Sequence, residues 1–197
     1  MFGRYYVDLD TVSAMEELVG RIDWQLRGRT DIHPSEQPWI LYEEQGRIAA
    51  SRMKWGFENP HTKGLLINAR AETVTERPAF RESVLHRRCI IPAKGFYEWN
   101  KAGEKAEFYK KDASPLFMAG CWKWAKGTPM FVILTTGANP SVASVHERMP
   151  LILEGEELRG WLAGDRDVEN FLRKIPSPLE KEQEYEQQTL DFSALMR

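Results

Sequence analysis

The chain has 197 residues and a net charge of −2, with 42% hydrophobic and 28% charged residues, values typical of a folded globular protein. It has no apolar run of the ~20 residues that a membrane-spanning helix needs, and acids replace the apolar stretch of a secretory signal. Its two cysteines, Cys89 and Cys121, are too few for a secreted disulfide framework, so we expect a cytoplasmic protein with no membrane contact.

The small net charge conceals an uneven distribution along the chain. Residues 45–126 hold 16 Lys+Arg against 8 Asp+Glu, a charge of +8, whereas residues 1–44 and 127–197 each carry −5. A basic middle segment of this kind could present one positive surface to a polyanion. The alternative is an ordinary solvated mixture of charges, which the composition does not exclude.

The spacing of apolar residues predicts short elements in the first half of the chain. A helix is expected after Asp8 and Asp10, either of which can cap it. In chain order the predicted elements are a helix over 9–24, a hairpin with strands 39–43 and 47–53, a short strand over 65–68 and a short helix over 78–85.

The apolar segments in the central part of the chain predict an antiparallel meander with turns at Pro92 and between the later strands. Its strands are the apolar segments 89–91, 95–99, 106–109, 116–122 and 130–135, followed by a short helix after Pro140, a strand over 149–153 and helices near 156–162 and 168–174. We therefore expect one α+β domain over residues 1–197, a largely antiparallel sheet or partly open barrel with short peripheral helices. Residues 176–197 are expected to form a polar tail.

A polar cluster, His146-Glu-Arg-Met-Pro150, precedes an apolar strand. Folding does not require polar residues there, and an imidazole two residues from the Arg148 guanidinium could place a proton-transfer group beside a phosphate anchor. An isolated histidine is more often structural. The other histidines have no comparable context, and no spacing suggests a metal or another cofactor.

A second candidate is the strand Phe96-Tyr-Glu-Trp99, in which Phe96 and Glu98 share one face. If that face is buried, Glu98 lies among aromatic rings, its pKa rises and it suits an acid/base role. If the strand is exposed, Glu98 is an ordinary surface carboxylate.

Two further segments are rich in polar or aromatic groups. Asn68-Ala-Arg-Ala-Glu-Thr73 follows a predicted strand, and Arg70 could bind a phosphate with two hydrogen bonds or instead pair with Glu72 at the surface. Trp55-Gly-Phe57 follows basic residues and could stack on nucleobases, although a core position is equally compatible.

Taken together, these segments resemble the SOS-response-associated peptidase (SRAP) family of abasic-site-processing proteins. The blocks that carry the resemblance occur in the family order: Met1-x-Gly-Arg-Tyr5, Trp55-Gly-Phe57, Asn68-Ala-Arg-x-Glu-Thr73, Arg88-Cys-x-x-Pro-x-x-Gly-Phe-Tyr-Glu-Trp99, Ala119-Gly-x-Trp122 and His146-x-Arg-Met-Pro150. The resemblance covers residues 1 to about 162 and is that of a short bacterial form.

The resemblance implies binding of single-stranded DNA at abasic sites, by a protein that we expect to be a monomer located at the nucleoid when bound to DNA. In the family, an N-terminal cysteine reacts with the ring-opened sugar and closes a thiazolidine, a crosslink that can be reversed. By that resemblance Asn68 holds the N-terminal residue, and Glu98 and His146 move protons. The residues implied to contact DNA are Arg4, Trp55, Phe57, Arg70 and Arg148.

The chain departs from the family at the nucleophile, because position 2 is Phe2 rather than cysteine. Phe2 has no nucleophilic side chain, so covalent capture through a thiazolidine is expected to be lost. Three explanations stay open: a change introduced into a chain that normally has cysteine there, a natural variant that binds without crosslinking, and a variant whose free Phe2 α-amine forms a reversible imine. The last requires removal of Met1.

Two other functions compete with lesion binding. A peptidase or other hydrolase could use Glu98 and His146 to activate water, but it would also need an oxyanion hole and a substrate groove. A non-catalytic module for single-stranded DNA would depend on Arg70 and be indifferent to Glu98 and His146. The position of the arginines on one face of the site distinguishes these hypotheses.

Overall fold

The computed structural model describes residues 2–163 and 168–183, which form two main β-sheets and several short helices. The strands are β1 (Arg4–Val7), β2 (Thr30–Ile32), β3 (Trp39–Glu44), β4 (Arg47–Arg52), β5 (Lys54–Trp55), β6 (Phe57–Glu58), β7 (Leu65–Leu66), β8 (Asn68–Arg70), β9 (Arg88–Ala93), β10 (Gly95–Trp99), β11 (Lys105–Tyr109), β12 (Leu116–Ala125), β13 (Thr128–Gly137), β14 (Arg148–Pro150), β15 (Ile152–Leu153) and β16 (Glu180–Gln183). The helices are α1 (Leu9–Val19), α2 (Arg81–His86), α3 (Pro140–Ala143), α4 (Leu158–Leu162) and α5 (Val168–Leu172), with 3-10 turns at Ala71–Thr73 and Gly155–Glu157.

The strands divide between an outer sheet and a central sheet. The outer sheet has the order β16-β11-β10-β1-β2, and all its pairs are antiparallel. The central sheet follows the path β14-β13-β12-β9-β3-β4, while β15 pairs with β12 and the short strands β5 and β8 pair in parallel with β13. The chain passes directly from β4, which pairs with β3 at one end of the strand order, to β5, which pairs with β13 near the other end. The central sheet therefore curls, and no pairing among the described strands closes it into a barrel. The expected α+β fold with a largely antiparallel, partly open sheet is confirmed.

The central sheet is buried on both faces, which explains its continuous apolar sequences. Phe131 and Ile133 of β13 point into a core shared with the outer sheet, whereas Val132 and Leu134 point into a core shared with the helices. This alternation follows from the two-residue repeat of a strand. The molecule therefore has three layers: outer sheet, central sheet and helices.

The helix predicted over 9–24 is shorter in the structure. Helix α1 begins as expected, with the Asp8 carboxylate accepting a hydrogen bond from the Thr11 backbone N–H at 2.9 Å. It ends at Val19 rather than residue 24 because Gly20 has a φ of +81°, a conformation that commonly ends helices.

The predicted meander is wrong at Pro92. Strands β9 and β10 belong to different sheets, and Pro92 lies inside β9 opposite Phe117. On its other side β9 pairs with β3 only at Cys89 and Ile90, so the missing proline N–H breaks no ladder at Pro92. The chain turns instead at Lys94, whose N–H donates to the Tyr6 carbonyl at 2.8 Å.

The last part of the chain is described only as far as residue 183. Within the predicted polar tail, Glu180–Gln183 form β16 and pair with β11, so this part belongs to the outer sheet. The single domain predicted over 1–197 stays a prediction, since residues 184–197 lie outside the described range. No helix within the described ranges is long and apolar enough to cross a membrane.

Candidate active site

A cavity of about 370 Å³ lies where β8, β13 and β14 meet. Strand β8 runs beside β13 with Arg70 opposite Thr135, and β14 flanks the other side with Arg148 opposite Gly137. This register brings side chains that are far apart in sequence to one edge of the central sheet. The lining includes Phe2, Asn68, Arg70, Arg77, His146 and Arg148.

Residue 2 is fixed by its ring and by its carbonyl. The Phe2 side chain is 1% exposed, and its ring centroid lies 5.8 Å from that of Trp55 and 5.5 Å from that of Phe96. The Asn68 Nδ2 donates a hydrogen bond to the Phe2 carbonyl at 2.5 Å. Asn68 thus contacts the N-terminal residue, as the resemblance implied, while its Oδ1 is buried without a hydrogen-bond partner in the described part of the chain.

Glu98 occupies the buried face of β10. This strand fits closely between its neighbours because Gly95 has no side chain: a Cβ there would lie 2.5 Å from the Tyr6 Oη and 2.6 Å from the Phe108 carbonyl oxygen. Glu98 is 1% exposed, and its Oε1 has no hydrogen-bond partner among the described residues. Burial raises the pKa of the Glu98 carboxyl, and the nearby His146 opposes that rise without cancelling it. The inward-facing alternative for Glu98 is therefore correct.

His146 lies beside Glu98. Its Nδ1 is 3.8 Å from the Glu98 Oε1, 3.0 Å from the Arg148 backbone nitrogen and 3.2 Å from the Arg148 carbonyl oxygen. The Nδ1 can accept from that N–H or donate to that carbonyl, according to which ring nitrogen carries the proton. Since 3.8 Å exceeds a hydrogen-bond length, proton exchange between the two groups requires a closer approach or a bridging group. The pair can serve as an acid and a base at one wall of the site.

Two arginines that line the cavity have guanidinium groups that can bind an anion. Arg70 and Arg77 are exposed, and neither guanidinium has an ion pair or hydrogen bond within the described ranges. Both belong to the basic segment 45–126. Guanidinium groups in this state can bind phosphate oxygens with paired hydrogen bonds.

Arg148 differs from these two because it already has a carboxylate partner. Its Nη1 and Nη2 donate to the Glu72 Oε1 and Oε2 at 2.7 and 2.8 Å, and Nη2 also donates to the Thr135 carbonyl at 2.6 Å. The surface pair weighed from the sequence, Arg70 with Glu72, is wrong, since Glu72 pairs with Arg148. This ion pair ties β14 to the 3-10 turn after β8 and so braces the cavity wall.

Arg4 lies on β1, outside the cavity lining. Its guanidinium carbon is 5.2 Å from the ring centroid of Trp99, and its Nη1 is 3.9 Å from the Asp31 Oδ2. The side chain is 35% exposed, so the predicted phosphate contact is compatible with its position and stays a prediction.

The predicted stacking of Trp55 and Phe57 on bases is not available in this structure, because both rings are fully buried. Trp55 packs between the sheets and donates its Nε1–H to the Ile67 carbonyl at 3.0 Å. Phe57 lies in the core on the helix side, with its ring centroid 5.9 Å from that of Phe80. Gly56, with a φ of +112°, reverses the chain between the two cores.

Sequence reasoning missed Arg77 and Phe80, which line the cavity beside Arg70. They follow the Asn68-Ala-Arg-x-Glu-Thr73 block after the 3-10 turn, Ala71–Thr73, that folds the chain back towards β8. A basic and an aromatic residue soon after a polar block are a weak signal, because only the turn brings them to the same cavity.

Comparison with known proteins identifies the family of this chain. The sequence pattern of the SOS response associated peptidase (SRAP) family matches residues 1–190. The chain belongs to the SRAP family. The resemblance drawn from the short motifs is thereby confirmed. Phe2 is one of the residues that line the cavity.

Relatives of this SRAP chain bear names that refer to abasic sites. The abasic site processing protein YoaM of Bacillus subtilis is 33% identical over 162 residues, covering 75% of this chain and 71% of the relative. The abasic site processing protein YedK of Escherichia coli is 32% identical over 143 residues, covering 68% and 64%. The abasic site processing protein HMCES of Xenopus tropicalis is 30% identical over 152 residues, covering 59% and 45%.

Solved structures show the same fold. A protein from Bordetella bronchiseptica superposes with a TM-score of 0.77 at 23% identity, covering 92% of this SRAP chain and 98% of the other. A phage-related protein from the same organism gives a TM-score of 0.74, also at 23% identity, covering 92% of this chain and 93% of the other. At these identities the likeness concerns the fold alone.

Proposed function

We propose that this SRAP protein binds single-stranded DNA at abasic sites, with the baseless sugar in the cavity beside Phe2, and does not capture it through a thiazolidine. The observation that carries the proposal is the convergence at one cavity of Asn68 and His146 with Arg70 and Arg77, which have no ion pair within the described ranges. The buried Glu98 carboxylate lies 3.8 Å from His146, behind the cavity lining. The relatives named as abasic site processing proteins support the choice of lesion. A DNA substrate would also place the protein at the nucleoid.

Each wall of the cavity has a separate task in this proposal. Arg70 and Arg77 bind the phosphates on either side of the sugar, and counterion release makes their contribution salt-dependent. Arg148 holds the wall through Glu72 and contacts the strand only with donors that this ion pair leaves over. The apolar side of the cavity, which includes Phe80, accepts part of a flanking base.

Glu98 and His146 handle protons of the bound sugar. Opening the sugar ring to its aldehyde removes a proton from the C1′ hydroxyl as the C1′ carbonyl forms, breaks the bond from C1′ to the ring oxygen and delivers a proton to that oxygen. The Glu98 carboxyl with its raised pKa can donate a proton, and a ring nitrogen of His146 can accept one. A sugar oxygen or water between them would bridge their 3.8 Å separation.

Phe2 decides what happens after ring opening. A thiol and α-amine at position 2 would condense with the aldehyde, lose one water and close a thiazolidine, but the Phe2 ring supplies no thiol. A free Phe2 α-amine could still form an imine with loss of one water, provided that Met1 is removed. Met1 lies outside the described residues, so this possibility depends on N-terminal processing.

The test compares the protein with Phe2→Cys and with the thiol-free control Phe2→Ala. Each is incubated with a single-stranded oligonucleotide that contains one abasic site, then analysed by denaturing gel and intact mass; fluorescence anisotropy compares its affinity with that for the undamaged oligonucleotide. We expect preferential binding by the unmodified protein and a heat-stable band only with Phe2→Cys. No preference for the lesion, and no band with a correctly processed Phe2→Cys protein, would contradict the proposal and leave a general DNA-binding module.

A further inference from the structure

A second cavity lies at the free edge of the central sheet. Strand β4 ends the strand order and pairs only with β3, so its outer edge has no hydrogen-bonded neighbour among the described strands. Consecutive residues of β4, Arg47 to Ala50, line a cavity of about 660 Å³ together with Val19, the last residue of α1, and residues 21–23, which follow that helix. This volume is within the range of about 300–1,000 Å³ typical of ligand sites, and the cavity shares no lining residue with the site beside His146.

The backbone and side chains of β4 suit the addition of another strand. An unpaired strand edge presents alternating N–H and C=O groups that an extended peptide can complete. The middle of β4 carries the small side chains of Ala49, Ala50 and Ser51, all half-buried, which leave room beside the backbone. Its two ends carry exposed arginines, Arg47 and Arg52.

The charges along this edge select the chemistry of the occupant. Strand β4 contains two arginines and no carboxylate, and Arg21 also lines the cavity. Two acids line it as well, Asp23 and Glu44, and Glu44 lies opposite Arg47 in the β3–β4 pair, so the excess of positive charge belongs to β4 itself, with Arg52 at its far end. An added strand therefore gains most from carboxylates placed near the arginines.

The Trp39 indole adds an independent indication that an acceptor is lacking here. Trp39 lines the cavity, and its Nε1–H is a buried donor with no acceptor in the part of the chain that the structure describes. Trp39 belongs to β3, opposite Arg52 of β4, and the Arg52 guanidinium carbon lies 5.7 Å from its ring centroid. A carbonyl or carboxylate brought in by a peptide would meet a donor that costs free energy while unpaired.

We propose that β4 is the docking site of an extended acidic peptide from a partner protein, which adds as a further strand and places a carboxylate near Arg47 and another near Arg52. A six-residue strand is about 20 Å long, so one short segment spans both arginines. A second copy of the chain suits the edge less well, since β4 contains two arginines and no carboxylate and so brings no acidic partner for Arg47 or Arg52.

The test uses a fluorescein-labelled peptide, acetyl-Glu-Val-Thr-Val-Thr-Glu-amide, and the full-length protein in an anisotropy titration at low salt. Two control peptides replace both glutamates by lysine or methylate alternate backbone nitrogens. The variant Arg47→Glu/Arg52→Glu reverses the two edge charges, and Lys101→Glu/Lys111→Glu makes the same charge change on exposed turns elsewhere. Light scattering of each protein reports its oligomeric state.

We expect the acidic peptide to bind at least about tenfold more tightly than either control peptide, a loss of about tenfold or more with Arg47→Glu/Arg52→Glu, and no change with Lys101→Glu/Lys111→Glu. Retained binding of the abasic oligonucleotide by the edge variant would show that it folds and would keep this proposal separate from the proposed function. Equal binding of all peptides, no binding, or indifference to Arg47→Glu/Arg52→Glu would overturn the proposal and leave the arginines as guards against edge aggregation. A dimer abolished by Arg47→Glu/Arg52→Glu would also overturn it, because the occupant would then be a second copy.

Discussion

The two sides of residue 2 are built on different principles. On one side, the rings of Phe2, Trp55 and Phe96 pack edge to face or tilted at 5.5–5.8 Å, and the Trp55 N–H has its acceptor in the Ile67 carbonyl. On the other side, polar atoms are buried without hydrogen-bond partners in the described part of the chain: the Asn68 Oδ1, the Glu98 Oε1 and the Arg148 Nε. On the apolar side one such atom remains in the described part of the chain, the hydroxyl of Tyr5, whose ring centroid lies 5.3 Å from that of Trp55, against three on the polar side.

This difference separates what stabilises the fold from what serves the proposed chemistry. A buried polar group without a partner costs about 1–3 kcal/mol, and native proteins keep few of them. Their concentration beside the cavity indicates groups that await a ligand or a proton. Phe2 belongs to the stabilising side, since its ring extends the aromatic core up to the cavity.

The largest effect should come from removing the ring of residue 2. Phe2→Ala deletes a side chain that is 1% exposed and leaves a void between Trp55 and Phe96, so we expect the free energy of unfolding to fall by about 3 kcal/mol. Urea denaturation measures this loss. The exposed Leu9, at 60% exposure, provides the control, because Leu9→Ala should change stability by less than about 0.5 kcal/mol. Equal effects of the two changes would mean that Phe2 does not belong to the core.

The apolar side could be predicted from the sequence only in part. The alternation of Phe96 and Glu98 correctly predicted one inward face for β10, because a strand repeats every two residues whatever it packs against. The burial of Trp55 and Phe57 was not predictable from their own segment, since it depends on β5 and β6 meeting β13 and Phe80 from distant parts of the chain. The assignment of β9 and β10 to separate sheets is also a matter of non-local pairing.

The next effect concerns the arginines on the polar side and is measured on DNA rather than on stability. Replacing Arg70 and Arg77 by alanine should weaken binding of an abasic single-stranded oligonucleotide about tenfold each, with little change in unfolding free energy, because both side chains are exposed and unpaired within the described ranges. Each substitution that removes one interaction with a phosphate should also reduce the magnitude of the slope of log K against log salt by about 0.7.

The matched control for these arginines is Arg81→Ala. Arg81 is an exposed arginine of the same basic segment, at the start of α2, and it does not line the cavity. It should leave both the affinity and the salt slope close to those of the unmodified protein. A salt slope that responds equally to Arg70→Ala and Arg81→Ala would mean that DNA contacts a diffuse basic surface rather than the cavity.

The arginines show where sequence reasoning about the site stops. Arg70 and Arg148 were both candidates for phosphate binding because guanidinium chemistry is the same in each. The structure separates them, since the Glu72 carboxylate holds Arg148 and leaves Arg70 available. Arg77 gave no signal because the turn that brings it to the cavity cannot be read from spacing. Residue types predicted which chemistry is present, while ion pairing between distant segments decides which group is free to use it.

The smallest effect, and the one that tests the polar side most directly, is the pH dependence of Glu98→Gln. Burial raises the pKa of the Glu98 carboxyl, so the folded protein holds this proton more tightly than the unfolded chain does. Stability from this group is therefore present at low pH and is lost as pH rises from about 4, the ordinary glutamate range, through the raised folded value.

Glutamine does not ionise, so Glu98→Gln should gain stability relative to the unmodified protein as pH rises, by about 1 kcal/mol at high pH. Denaturation series from about pH 4 to pH 8 measure the difference, with the exposed Glu76→Gln as a control expected to stay within about 0.5 kcal/mol throughout. A difference between Glu98→Gln and the unmodified protein that is constant with pH would show that the carboxyl of Glu98 does not change its protonation on folding, and the donor that the proposed ring opening needs would be lost.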